Sequence, residues 1–200
     1  MSMRQNDSPS TRPASSPEMR ERGAERALGL LLLVDLVNEI APGDPVTAPE
    51  RWRDVLLRHG ADAADLARQP PPHATAVLAA VARLRALFAV REMAELAAHV
   101  NPVLAAEGAR PRLAEVRPGA WAVRAETDED GDPALRVLVV GAFALAAWAA
   151  ERGRIAWGIC AAAGCNRTFI DEGRRAPQRF CRPACATRSR VRAHRARLGG

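Results

Sequence analysis

All four cysteines of the chain lie in one short, arginine-rich window, CAAAGCNRTFIDEGRRAPQRFCRPAC. Cys160 and Cys165 are separated by four residues, and Cys181 and Cys185 by three, with a loop of fifteen residues between the pairs. Such a window could hold two disulfides or four thiolate ligands of one metal ion. Two close pairs joined by a loop are typical of a tetrahedral zinc site, because each pair comes from a tight turn and the loop lets the pairs converge.

The cellular compartment decides between these two chemistries. The most apolar run, LGLLLLVDLV, is interrupted by Asp35, is not followed by a small-residue cleavage site and is too short to cross a bilayer. We therefore expect a cytoplasmic protein with no membrane partner, in which thiols stay reduced. The sequence predicts one structural Zn²⁺ bound by Cys160, Cys165, Cys181 and Cys185.

No pattern in the chain indicates an enzyme. Four thiolates fill a tetrahedral zinc site and leave no position for a catalytic water. The sequence contains no nucleophile–base pattern and no glycine-rich phosphate loop, and its histidines are scattered. We expect no catalytic residues. An enzyme with a pocket in the N-terminal part of the chain ranks last among the hypotheses.

The charge of the chain is concentrated at its C-terminus. All 29 basic residues are arginine, which together with many Ala, Gly and Pro residues suggests a GC-rich bacterial genome. From Cys160 onward there are ten arginines and two acidic residues, whereas the net charge of the whole chain is +6, so the preceding part is slightly acidic. This asymmetry indicates a polyanionic partner for the C-terminal part.

The segment after Cys181 predicts a basic helix. Pro183 suits the first turn, which would carry Cys185, and the spacing of Arg188, Arg192 and Arg195 puts these arginines on one face. Clustered arginines suit DNA phosphates and guanine edges, so DNA is the expected partner. A solvated helix and an acidic protein partner are the alternatives. The candidate nucleic-acid-binding residues are Arg174, Arg175, Arg179, Arg188, Arg190, Arg192, Arg195 and Arg197.

The cysteine window resembles the CGNR zinc-finger family. That family has a Cys-x4-Cys pair, a Phe-x-Asp, an aromatic residue before the third cysteine, and a final Cys-Gly-Asn-Arg that leads into a basic helix. Phe180 stands at the position of the usual Trp, and the final tetrad reads Cys185-Ala186-Thr187-Arg188, so Gly and Asn are both replaced. The residues on the family pattern are Cys160, Cys165, Phe169, Asp171, Arg174, Arg175, Arg179, Phe180, Cys181, Cys185 and Arg188.

A second resemblance lies near the N-terminus. The run LLLLVDLVNEI is similar to the opening of the ABATE domain, which usually precedes this finger, and Asp35 and Asn38 match it. The two resemblances together imply a bacterial, stress-related transcription regulator. In such a protein the finger would bind DNA, and the body would dimerise or sense a signal through a ligand that the sequence does not identify. On the residues alone, we expect Asp35 and Asn38 to make a buried polar contact that fixes helix packing, and a small-ligand pocket in the body is the alternative.

The elements that position the cysteines are predicted to be mostly helical. We expect a disordered arm over residues 1–26, a helical ABATE-like body over 27–153 and a zinc-ribbon-like finger with a basic helix over 154–198. The fold class is therefore mostly α (α+β), with a small β-hairpin around Pro118-Gly119 and a nearly all-apolar central helix after Asp132-Pro133.

The sequence also predicts where three further helices of the body begin or end. Thr47 and Glu50 fit a capping box that opens a helix stopped by Gly60. A long helix follows the prolines at 70–72, with an apolar face of Val77, Val81, Leu84, Leu87 and Phe88 and a break near Val90. Asn101-Pro102 predicts the start of another short helix.

Overall fold

The computed structural model describes residues 29–40, 43–106, 108–117, 119–127, 131–173 and 177–198. The predicted arm, residues 1–26, lies outside these ranges.

The described residues contain seven helices and two small antiparallel sheets, so the predicted mostly α fold with a small hairpin is confirmed. Helical residues 29–39 form α1. The sheets have the orders β1-β2 and β3-β4. The remaining bounds are α2 Ala48–Arg58, α3 Ala63–Arg68, α4 Ala74–Ala89, α5 Met93–Ala106, β1 Arg110–Arg117, β2 Ala120–Glu126, α6 Pro133–Arg152, β3 Trp157–Ile159, β4 Thr168–Ile170 and α7 Pro183–Leu198.

The apolar helix α6 is the centre of the body, as predicted. Asp132 caps it by accepting from the backbone N–H of Ala134, and Gly153 ends it in the left-handed conformation. The helix packs against α4, α5 and β2. Gly141 lets α1 approach closely, since a Cβ at that position would lie 2.8 Å from Leu33 Cδ2. By length and composition α6 alone among the described helices could also cross a membrane, a property that core helices share.

The apolar face of α4 is the one predicted. Val77, Val81, Leu84, Leu87 and Phe88 are all buried, and the helix ends with Val90 as its C-cap. In α1, Leu36 is buried but Leu31 is exposed, because the helix turns residues 30, 33, 34 and 37 toward the core.

The capping box predicted at Thr47 does not form. Thr47 has helical backbone angles and makes no side-chain cap. Its hydroxyl instead donates to Asp44 Oδ2 at 2.6 Å, and Asp44 Oδ1 accepts from the backbone N–H groups of Val46 and Thr47. These hydrogen bonds lower the pKa of Asp44, the Thr47 hydroxyl being the largest cause. The turn before α2 is therefore closed by an aspartate three residues earlier.

The predicted helix start at Asn101-Pro102 is wrong. Pro102 lies inside α5, which runs without interruption through both residues. Leu96, Val100 and Val103 are buried along one face of this helix. Packing of that continuous face against the core outweighs the hydrogen bond that the proline removes.

The hairpin of β1 and β2 exposes an apolar face. Leu113 pairs with Val123, and Trp121 lies on the same side of the hairpin. These three side chains are 55–61% exposed, although they are among the most apolar of the hairpin. On the opposite face, Arg112 forms an ion pair with Glu126. The hairpin is thus amphipathic, and these three apolar side chains are not covered by the described residues, whereas Ala125 on the same face is buried in the core.

The β3–β4 hairpin is attached to the body by three sets of hydrogen bonds. Trp157 Nε1 donates to the carbonyl of Leu87 at 2.8 Å, near the C-terminus of α4, where the same carbonyl also accepts from the backbone N–H of Val90. Arg85 Nη2 donates to the carbonyl of Asn166. Trp157 and Ile170 also belong to the same buried core as the body helices. The predicted boundary at 153/154 thus separates segments that share one core, and their independent folding stays a prediction.

Asn38 makes the third attachment. Its side-chain amide donates to the carbonyl of Thr168 at 3.1 Å, and its Oδ1 accepts from the backbone N–H of Thr168 at 2.8 Å. Asp35 instead contacts His59 Nε2 at 2.9 Å. Asn38 thus makes a partly buried contact of the kind expected and connects α1 to β4 across 130 positions of sequence, whereas the Asp35 contact is exposed and not buried as predicted.

We predict that Asn38→Ala lowers the free energy of unfolding by about 1–3 kcal/mol, because it leaves two backbone groups of Thr168 without their partner. Chemical denaturation of the zinc-loaded chain measures this. Asn101→Ala, which removes an exposed amide from α5, is the matched control and should change stability little. Equal effects of the two substitutions would show that the hydrogen bonds between Asn38 and Thr168 do not stabilise the fold.

Candidate metal centre

The first cysteine pair is held by the turn between β3 and β4. Cys160 follows β3 directly and donates its backbone N–H to the carbonyl of Arg167, which continues the hairpin ladder. The backbone N–H of Cys165 donates to the carbonyl of Ala162 at 2.9 Å. Gly164 has φ +74°, a left-handed conformation that favours glycine, so the first pair comes from a tight turn, as expected.

The second pair is held by the start of α7. Pro183 is the first residue of this helix, and Cys185 lies in its first turn, as predicted. The N–H groups of Cys185 and Ala186 both donate to the carbonyl of Arg182. The N–H of Ala161 donates to the carbonyl of Arg179 at 2.9 Å and so brings the two pairs together. Ala162 and Phe180 pack against the cysteines.

The four sulfur atoms are arranged for one metal ion. All four Sγ atoms lie within 4.8 Å of one another. Cys165 and Cys181 are 3.8 Å apart, Cys181 and Cys185 3.8 Å, and Cys185 and Cys165 3.9 Å. Four sulfurs about 2.3 Å from a tetrahedral zinc ion would be separated by about 3.8 Å.

The alternative of two disulfides does not fit this geometry. A disulfide requires an S–S distance of about 2.05 Å, and all four cysteines are free. The donor set therefore fits a single structural zinc ion, as the sequence predicts. When bound, the ion joins the β3–β4 turn to the first turn of α7.

When no metal is bound, the surroundings of Cys160 favour its ionised thiolate, whereas those of Cys181 oppose ionisation. Burial opposes ionisation of Cys160, but hydrogen bonds to it, first those from the backbone N–H groups of Cys181 and Ala162, outweigh that cost and lower its pKa to about 7. Burial raises the pKa of Cys181 to about 12, and hydrogen bonds to the other three thiols act in the same direction. Metal binding must therefore displace protons from the cluster.

Asp171, on the predicted family pattern, is a structural residue beside the site. Its buried carboxylate accepts from Arg154 Nη1 at 2.9 Å and from the backbone N–H groups of Gly173 and Gln178. It thereby fixes the two described ends of the loop that leads to Cys181. Phe169 packs over Gly158, its partner across the β3–β4 ladder.

Two arginines contact the cysteine cluster directly. Arg188 Nη2 lies 3.5 Å from Cys185 Sγ. A hydrogen bond between the Arg182 guanidinium and Cys185 raises the pKa of Arg182, and the nearby Cys185 and Cys181 sulfurs act in the same direction. Arg182 was not among the predicted site residues, although its position between Cys181 and Pro183 could have indicated it.

The other predicted nucleic-acid contacts have different surroundings. Arg174 and Arg175 lie outside the described residues. The Arg179 guanidinium lies 5.8 Å from the centroid of the Phe180 ring, and Arg190 Nη2 donates to Thr187 Oγ1 at 3.3 Å. The exposed arginines of α7 that pair with no carboxylate among the described residues are Arg188, Arg190, Arg192, Arg195 and Arg197.

Comparison with known families identifies the segment that carries these cysteines. Residues 157–198 match the model of the CGNR zinc finger. The match runs from the first residue of β3 to the last residue of α7, so it includes all four cysteines and the basic helix. No curated protein matches the chain. The resemblance of the finger is thus confirmed, and the ABATE resemblance of the body stays a prediction.

We predict that the chain binds one zinc ion and that Cys181→Ser abolishes tight binding. The described side chains of α7 are at least partly exposed except that of Cys185, so the helix depends on the metal for its position. An isolated helix of 16 residues is marginal in water. Metal analysis and hydrogen exchange should show loss of zinc and of protection in α7.

The same experiment contains its control. The amides of α4 and α6 should stay protected in Cys181→Ser, because these helices lie in the body core. Cys181→Ser protein that retains stoichiometric zinc and a protected α7 would contradict the assignment of Cys181 as a ligand.

Proposed function

We propose that this protein is a zinc-binding, DNA-binding transcription regulator in which α7 contacts DNA. The observation that carries the proposal is the composition and exposure of α7. The helix contains five arginines and no acidic residue, and Cys185 is its only buried side chain among residues 183–197. A helix built for packing would have an apolar face, whereas the outward surface of α7 is suited to a polyanion.

The zinc centre would hold this helix in a defined direction. Cys185 in the first turn connects α7 to the β3–β4 turn, and β3 and β4 are attached to the body through Trp157 and Asn38. Arg192 and Arg195 are three residues apart and share a face, so their guanidinium groups would meet the same stretch of DNA. The major groove of B-DNA admits an α-helix, and arginine suits both phosphates and guanine edges.

Contacts to phosphate are the larger expected contribution. The Gly-Asn of the family tetrad is replaced by Ala186-Thr187, and the Thr187 hydroxyl already accepts a hydrogen bond from Arg190. That leaves arginine side chains as the main groups able to contact DNA from this helix. We therefore propose strong dependence on salt and modest preference for sequence.

We propose that the ABATE-like body acts by dimerisation, in a cytoplasmic, stress-related bacterial regulator. The support is the exposure of the apolar side chains of Leu113, Trp121 and Val123, on a sheet whose two strands have no other neighbour among the described strands. A second copy could cover this face through a two-fold contact and could pair a free strand edge. The finger and its thiolate-saturated zinc offer no catalytic position, so we propose no enzymatic activity.

Replacement of one phosphate-contacting arginine should be visible in the salt dependence of DNA affinity. We predict that Arg192→Ala, and separately Arg195→Ala, lowers the slope of log affinity against log salt by about 0.9 for duplex DNA. Fluorescence anisotropy with random-sequence duplexes at several salt concentrations measures this. Arg53→Ala, which removes an exposed arginine from α2, is the matched control for net charge.

The alternative function predicts a different outcome. If α7 binds an acidic protein, the zinc-loaded chain will show no salt-dependent DNA affinity. A slope that is unchanged in Arg192→Ala, Arg195→Ala and their double variant, with zinc still bound, would also contradict the proposal.

We predict that Trp121→Ser shifts the chain from dimer to monomer, because it removes the largest exposed apolar side chain of the hairpin face. Sedimentation equilibrium measures the change. Val46→Ser is the matched control, since Val46 is 83% exposed at a turn far in sequence from the hairpin. A wild-type chain that is monomeric at high concentration would refute dimerisation.

A further inference from the structure

The zinc centre creates a local charge that the protein must balance. Four thiolates around one Zn²⁺ carry a net charge of −2. Cys185 is fully buried, and Cys160 and Cys165 are largely buried, so water screens this charge poorly. Donors in the surroundings of metal ligands orient those ligands and stabilise their charge. Backbone N–H groups provide part of this charge stabilisation at Cys160, but an N–H group carries no net charge.

Arg188 is positioned to supply a full positive charge. It lies three residues after Cys185 on α7, so the two side chains share a face. Long side chains in helices lean toward the N-terminus, which directs Arg188 over the turn that holds Cys185. The resulting distance from Arg188 Nη2 to Cys185 Sγ is 3.5 Å, within range for a hydrogen bond to sulfur.

The arrangement is specific to this arginine within the helix. No carboxylate among the described residues pairs with Arg188, so the sulfur is the partner that the structure provides. Arg192 lies seven residues from Cys185, which corresponds to a rise of about 10 Å along the helix, and it has no sulfur contact. Arg182 precedes Cys185 by three residues, and a hydrogen bond to Cys185 is the first cause of its raised pKa.

We propose that Arg188 is a positioning residue of the zinc centre, which balances the charge of the metal–thiolate cluster through its hydrogen bond to Cys185 and is not primarily a DNA contact. This assigns a function to the last residue of the Cys185-Ala186-Thr187-Arg188 tetrad. It depends on the zinc site and not on the proposed DNA binding.

The proposal has two measurable consequences. Loss of a charged donor should make the zinc ion easier to remove, since removal of such partners of metal ligands typically lowers metal affinity by about 10–100-fold. It should also make Cys185 a stronger electron donor. In the Co²⁺-substituted protein, the sulfur-to-cobalt charge-transfer band should therefore move to longer wavelength, an effect that a merely structural change would not produce.

The experiment compares full-length Arg188→Ala, Arg188→Lys and Arg192→Ala with the wild-type chain. Zinc affinity is measured by competition with a chromophoric chelator, and the Co²⁺ spectrum is recorded at saturating metal. Arg188→Ala should lose about 10–100-fold in affinity and show the shifted band. Arg188→Lys, which keeps the charge but lacks the planar fork, should fall between Arg188→Ala and wild type. Arg192→Ala removes the same charge from the same helix face and should match wild type.

Each outcome either supports or contradicts the proposed function of Arg188. If Arg188→Ala and Arg192→Ala have equal zinc affinities and equal spectra, the contact with Cys185 has no influence on the metal and the proposal is wrong. If both variants weaken zinc binding equally, net charge and not the hydrogen bond is responsible, which also overturns it. If Arg188→Ala folds poorly without metal, its spectrum at saturating Co²⁺ still reports the sulfur environment. None of these readouts contains DNA, so failure of the proposed DNA binding would leave this test unaffected.

Discussion

The requirement that four sulfur atoms meet around one ion sets the arrangement of the C-terminal part of this protein. Among the described residues, the cysteines, Ala162, Phe180 and the hydrogen bond from Ala161 to Arg179 connect the β3–β4 turn to the segment that begins α7. A helix with an exposed, arginine-rich surface cannot bury apolar area to hold itself in place. The metal–sulfur bonds replace the hydrophobic core that so small a module lacks. The direction in which α7 leaves the protein is therefore a property of the metal site.

The body in turn determines where that metal site lies. The Trp157 indole and Ile170 extend the core of the helical body into the β3–β4 hairpin, and Asn38 clamps the backbone of Thr168 from α1. These contacts are buried or partly buried, so separating hairpin and body would expose apolar surface and leave backbone groups without partners. Any rearrangement of the body near α1 or the end of α4 would thus move the β3–β4 hairpin, because Asn38 and Leu87 are hydrogen-bonded to it. A body that senses a signal would have a direct physical route to the finger.

Much of this architecture follows from local patterns. The α4 face, the Asp132 cap, the Gly164 turn and the convergence of the cysteines each depend on residues close in sequence, where periodicity and turn preferences are strong. The errors arose where distant packing or a competing side chain decided the outcome. Pro102 lies within α5 because that helix buries a continuous face, and the Thr47 hydroxyl donates to Asp44 and does not cap α2. The amide of Asn38 could be predicted to lie in a polar contact, but its partner 130 positions away could not be inferred from spacing.

The arginines of α7 are distributed in a way that the electrostatics of a helix can explain. Five like charges on one short helix repel one another, notably Arg188 and Arg192 one turn apart. The zinc–thiolate cluster places negative charge at the N-terminus of α7, where the helix dipole is positive, and Arg195 and Arg197 lie in the last turn, where positive charge is favourable. The arginine nearest the cluster contacts a thiolate, so its charge is balanced within the protein. The charges left uncompensated are those farther along the helix, and these are the ones for which a polyanion would relieve the repulsion.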